Sequence, residues 1–120
     1  MTHLMISGTF GKDDPERAVL PLIVGNTAVA ADQQATVFLT IEGVWLGTKG
    51  YADDITKEGF PPLKQILDSF LANGGRLWVC GTCAKPRGIT DADLIEGASI
   101  VTAANLVEEL VDGAQMVTVG

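Results

Sequence analysis

The chain predicts an α/β fold: a mostly parallel five-stranded sheet between layers of helix, a three-layer α/β/α sandwich. Three observations predict it. Five short apolar runs, "LMISG", "ATVFLTI", "RLWVC", "ASIV" and "AQMVTV", are separated by helical or loop segments. Leu63, Ile66, Leu67, Phe70 and Leu71 follow the i, i+3, i+4, i+7, i+8 spacing of an amphipathic helix. The alternation of strand with helix is the pattern of parallel sheets covered on both faces.

Each element has its own justification. "LMISG" is short and apolar and ends in Gly, as a first strand does. Asp14 can cap the next helix, Pro15 suits its first position and Glu16 favours its positive end. Ala18, Val19, Leu22, Ile23 and Ala30 give that helix a broad apolar surface, while Pro21 and Gly25 predict a kink or an interruption. "ATVFLTI" is β-branched and aromatic, a buried strand. "EGVWLGTKGYADDITKEGFPP" is too long for a turn; such loops carry function or a small helical piece. The helix "PLKQILDSFLANGG" stops at Asn73, Gly74 and Gly75. "RLWVC" is a strand whose end delivers Cys80 into the loop "GTCAKPRG". Thr90 to Asp93 offers a capping pattern for a short helix through Ile95. "ASIV" is a short strand. "TAANLVEELVDG" is a helix with Ala103, Leu106, Val107 and Leu110 on one side, and "AQMVTV" closes the sheet.

Composition bounds the function. A length of 120 residues suits a single domain over 1–120, and 47% hydrophobic with 19% charged residues suits a packed core. A formal net charge of −7 without a basic stripe argues against a broad nucleic-acid footprint. No run of about 18 apolar residues is present, so no membrane-spanning helix is expected. "MTHLMISGTF" lacks a basic n-region and reads as a strand rather than a signal peptide. The expectation is cytoplasmic, where thiols stay reduced, and a structural disulfide is a poor fit to two cysteines only three apart.

Both cysteines lie in "LWVCGTCAKPRGI", and the residues leave four readings open. Cys80 continues Leu77, Trp78 and Val79 and can simply finish a core strand. The C-x-x-C spacing suits a redox dithiol, but Pro86 and Gly88 cut short any helix after Cys83, and too little chain follows for a thioredoxin fold. A structural zinc site needs four ligands, whereas this chain offers two thiols and the distant His3; two subunits could pool four thiols, but nothing in the sequence requires it, and thiol exchange needs no metal or organic cofactor. A single reactive thiol needs help for its thiolate, which Lys85, Arg87 and the backbone N–H groups of Gly81 and Thr82 can give. Beyond this loop, Trp45 and Tyr51 are candidates for a pocket or a subunit contact. His3 reads as structural or exposed, and Asp53, Asp54 and Glu58 as solvated surface.

"VCGTCAKPRGI", with "EGVWL" upstream and "GASIVTAANLVEEL" downstream, resembles the DsrE/DsrF-like family of small sulfur-relay proteins over nearly the whole chain. The resemblance implies a five-stranded parallel sandwich of flavodoxin-like architecture, assembled as a homotrimer or homohexamer. It implies a sulfurtransferase-like carrier whose thiol, ending a strand, is followed seven residues on by an Arg-Gly pair. Cys80 with Arg87 and Gly88 matches that arrangement, which makes Cys80 the expected persulfide carrier. Cys83 falls where carriers often have a small apolar residue; beside a carrier Cys80 it could resolve the persulfide or form a protective disulfide. Lys85, Arg87, Gly88 and Trp45 are the expected binding residues, and a sulfur donor or acceptor protein the expected partner. The competing expectation is a non-catalytic oligomeric binding module, or a thiol redox protein, with a small-ligand pocket near the Cys80 loop.

Overall fold

Helix α1 (Pro15–Ala30) starts where the sequence places it: the Asp14 carboxylate accepts the N–H of Arg17, and Pro15 occupies the first turn. The computed structural model, which describes residues 3–119, carries α1 without interruption through Pro21 and Gly25. The expected break is absent for a packing reason. Pro21 is buried, and Gly25 leaves room for an aromatic ring: a Cβ there would lie 2.8 Å from Phe70 Cε1. The buried face is Ala18, Val19, Leu22 and Ala28; Ala30 is exposed.

The strands are β1 (His3–Gly8), β2 (Gln34–Leu39), β3 (Arg76–Cys80), β4 (Ala98–Val101) and β5 (Gln115–Thr118). They form one sheet in the order β4-β3-β2-β1-β5, and every pairing is parallel. The chain steps outward from β1 to β4 and then returns to the other side of β1. Right-handed connections require the returning helix to lie on the opposite face. The packing follows: α1 and α2 (Leu63–Ala72) cover one face, and α4 (Ala103–Val111) covers the other.

Strand alternation sorts the core. Ile6, Val37, Leu39, Leu77 and Val79 point to the α1/α2 face, with Leu22, Leu63, Leu67 and Phe70 against them. Met5, Phe38 and Val101 point the other way, where Trp78, Leu106 and Leu110 are only partly covered. The apolar side expected for α4 is thus half used: Val107 is 56% exposed and Ala103 is exposed.

The long segment after β2 is ordered as two short 3-10 helices, Ile41–Gly47 and Tyr51–Asp54, with Val44, Leu46, Ala52 and Ile55 buried. It is pinned to its own chain. Trp45 stacks on Tyr51 with ring centroids 5.9 Å apart, and the Tyr51 hydroxyl accepts the Lys12 N–H at 2.7 Å. The Thr90–Asp93 capping box forms, around a 3-10 turn over Asp91–Asp93. No helix among the described residues is long and apolar enough to cross a membrane.

Candidate functional site

The carboxyl ends of β1, β2 and β3 meet in a cluster of loops, and both cysteines are there. β3 lies between β2 and β4, so its backbone is fixed on both sides. Cys80 is its last residue and the N-cap of α3 (Gly81–Ala84); its side chain makes no capping hydrogen bond. Alternation puts Cys80 on the α4 side of the sheet with Trp78, and at the strand's end it touches apolar residues of both faces. Cys83 lies one turn on and packs against the larger core. Both are free thiols and partly exposed. The helix does not extend: Lys85–Arg87 tighten into a 3-10 turn that ends at Gly88 with φ +73°. Pro86 and Gly88 account for that stop.

The other expected site residues separate into distinct positions. The Arg87 guanidinium is committed: Nε donates to Glu42 Oε1 at 3.3 Å and Nη1 donates to the Cys83 carbonyl at 3.1 Å. Lys85 is exposed, and among the described residues no ion pair involves it. Trp45 and Gly88 come together in a cleft of about 310 Å³, with Thr48, Lys49, Ile89 and Asp93 around them. The cysteines do not line that cleft. Lys49 belongs to its wall, where its backbone N–H donates to Asp93 O and its ammonium to Ala92 O.

Sequence reasoning missed Glu42. Its partner is 45 positions away, and nothing in the sequence between them signals the contact. It also missed a polar cluster at the opposite, amino edge of the sheet. There His3 Nε2 lies 2.9 Å from Thr36 Oγ1, and His3 Nδ1 lies 3.1 Å from Glu109 Oε2. Arg76 Nε donates to the same Thr36 oxygen, and Arg76 Nη2 is 3.3 Å from His3 Nε2. Both ring nitrogens of His3 are thus engaged, Nδ1 with Glu109 and Nε2 with Thr36. A cavity of about 450 Å³ lies beside the cluster, lined by His3, Gln34, Arg76 and Glu109. The order hydroxyl, imidazole, carboxylate is that of a nucleophile relay. Thr36 is 0% exposed, however, so no substrate reaches its oxygen, and the cluster ties α4 to the sheet instead.

An all-parallel sandwich that delivers a part-exposed free thiol from the end of an inner strand is a small thiol-bearing α/β protein. The chain belongs to the DsrE/DsrF-like family, whose model matches residues 3–119. It is 34% identical over 92 residues to an uncharacterized protein of Methanopyrus kandleri, covering 77% of this chain and 73% of that one. It is 30% identical over 108 residues to an uncharacterized protein of Methanocaldococcus jannaschii, covering 90% of this chain but only 39% of that one. A second uncharacterized M. jannaschii protein is 29% identical over 117 residues, covering 98% and 96% of the two chains. Two solved structures share the fold. The YchN protein of E. coli superposes with a TM-score of 0.81 at 22% identity, covering 99% of this chain and 100% of its own. A protein of unknown function from Methanobacterium thermoautotrophicum superposes with a TM-score of 0.73 at 15% identity, with the same coverage.

Proposed function

We propose that this protein carries sulfur as a persulfide on Cys80. The observation that supports this most is the position of Cys80: an uncapped, part-exposed thiol at the carboxyl end of an inner strand, where open α/β sheets place their chemistry. Arg87 and Gly88 follow at the spacing that the family resemblance associates with sulfur carriers.

The chemistry needs no cofactor. The Cys80 thiolate attacks the outer sulfur of a donor persulfide, a Cys80 S–S bond forms, and the donor thiolate leaves. Transfer is the same step in reverse order: an acceptor thiolate takes the outer sulfur and the Cys80 thiolate leaves. Cys83, three residues on, gives a second exit. Its thiolate attacks the inner sulfur, a Cys80–Cys83 disulfide forms and hydrosulfide departs; an external dithiol then resets the pair.

The reading extends to assembly in a cytoplasmic homotrimer or homohexamer. The face covered by α4 alone supports it: Val107 (56% exposed), Val111 (79%) and Met116 (42%) lie on α4 and the edge strand β5. One observation favours a second reading, a binding module: the cleft at Trp45 and Gly88 stands apart from the thiols and has the size of a small-ligand site. Intact-mass measurement after incubation with a low-molecular-weight persulfide separates the two. The carrier gains one sulfur atom on one thiol, reversibly under reductant. A mass unchanged at any donor concentration rejects the carrier and leaves the module.

A further inference from the structure

Three loops leave the carboxyl edge of the sheet side by side, and one line of contacts joins them. After β2, Thr40 donates its N–H to Gly8 O at the end of β1, and Gly43 donates to Thr9 O. Gly43 sits so close that a Cβ would collide with the Gly8 carbonyl. Between these anchors stands Ile41, 55% exposed and with φ +53°. A β-branched residue in the left-handed region is a strained backbone and persists only where its surroundings enforce it. The residue this backbone presents next is Glu42. Its carboxylate accepts Arg87 Nε, and Arg87 Nη1 holds the Cys83 carbonyl.

We infer that Glu42 is a positioning residue for the cysteine loop, acting through Arg87, and that the strained turn at Ile41 exists to hold it there. The assignment rests on the sulfur-carrier reading for its purpose and on the contacts alone for its existence. Three points carry it. Arg87 is anchored by Glu42, so its charge serves the loop's geometry before it serves an anion on sulfur. The bond from Nη1 goes to the backbone of Cys83 itself. The anchor belongs to a segment fixed at two successive backbone points, Gly8 at the end of β1 and Thr9 just after it, so its position is set by the sheet. The Glu42–Arg87 contact is partly shielded, with 37% and 27% of the two side chains exposed, unlike an ordinary surface pair.

The test compares Glu42→Ala, Arg87→Ala and the double variant, each first shown to be folded by its melting transition. Two readouts need no sulfur chemistry: hydrogen exchange of the amides of 81–85, 87 and 88, and the ratio of Cys80 to Cys83 alkylation rates by iodoacetamide. Each single variant is expected to speed exchange in the loop by about tenfold or more, the low end for a hydrogen bond to a charged group, while amides 77–79 stay slow. Each is expected to shift the alkylation ratio, and the double variant to do no more than Arg87→Ala alone. Glu42→Gln, which keeps an acceptor without the charge, should fall between wild type and Glu42→Ala. Unchanged loop exchange and ratio in Glu42→Ala, or additive effects in the double variant, would overturn the assignment. Should the wild type fail to load sulfur while these couplings appear, the carrier reading falls and the clamp stands.

Discussion

The two edges of the sheet carry comparable polar chemistry and use it in opposite ways. At the amino edge, Arg76, Thr36, His3 and Glu109 satisfy one another in a line of hydrogen bonds. The central hydroxyl is fully buried, and the cluster joins β1, β2 and β3 to α4. At the carboxyl edge, Cys80 has no capping bond, Lys85 is exposed with no ion pair among the described residues, and Ile41 is strained. A satisfied polar cluster has nothing left to react with, so its contribution is stability. At the carboxyl edge the Glu42–Arg87 pair is satisfied as well, but the Cys80 thiol beside it is part-exposed with no capping bond, which is how a site differs from a staple.

The largest expected effect that sharpens this contrast lies at the amino edge. Thr36→Val keeps the shape but strips Arg76 and His3 of their shared partner. The loss should be about 1 kcal/mol, because part-buried His3 loses its hydroxyl partner while exposed Arg76 turns to water. Sulfur loading at Cys80, at the far edge, should be unchanged. Denaturant unfolding together with the loading assay checks both, and a variant of full stability but impaired loading would break the contrast.

An effect no larger, and of opposite sign, is expected at the carboxyl edge. Ile41→Gly removes the left-handed strain and should raise stability by about 1 kcal/mol, although glycine adds some entropy to the unfolded chain. The same variant should loosen the loop that Glu42 anchors. A melting temperature that falls instead would mean that the turn at Ile41 stores no strain.

The smallest expected effect concerns pH. The backbone N–H and hydroxyl of Thr90 hold the Asp93 carboxyl below its ordinary value of 3.8. A depressed acid stabilises the fold fully above its unfolded value, and that contribution disappears as pH falls through the folded one. Asp93→Asn should therefore differ from wild type near neutrality and converge with it in acid, by melting temperature. Both groups are at the surface, so the difference is small. A gap that widens in acid would reverse the sign and contradict the capping geometry.

How much of this was legible in the sequence depends on the range of the interaction. The five strands, α2 and the capping box at Thr90 are written locally, in periodicity and turn chemistry, and all appear. The site's location follows from topology once "RLWVC" is a strand. The uninterrupted α1 was not legible, because Gly25 makes room for Phe70, which reaches it only in the folded chain, and Pro21 is buried only there. The apolar side of α4 was legible, but its periodicity does not say what covers Val107. Glu42 and Arg87, like His3 and Glu109, are joined across 45 and 106 positions. Such pairs leave no pattern in one sequence, and these are the contacts that tie the loops and the last helix in place.

On the proposed reading, Cys80 rather than Cys83 carries the sulfur. Intact mass of Cys80→Ser and Cys83→Ser after exposure to a persulfide donor, with both variants shown to be folded, tests it most directly. The account predicts no added sulfur on Cys80→Ser. It predicts one added sulfur on Cys83→Ser, with a longer-lived adduct because the resolving thiol is gone. Equal loading of the two variants, or loading only when Cys83 is present, would contradict it.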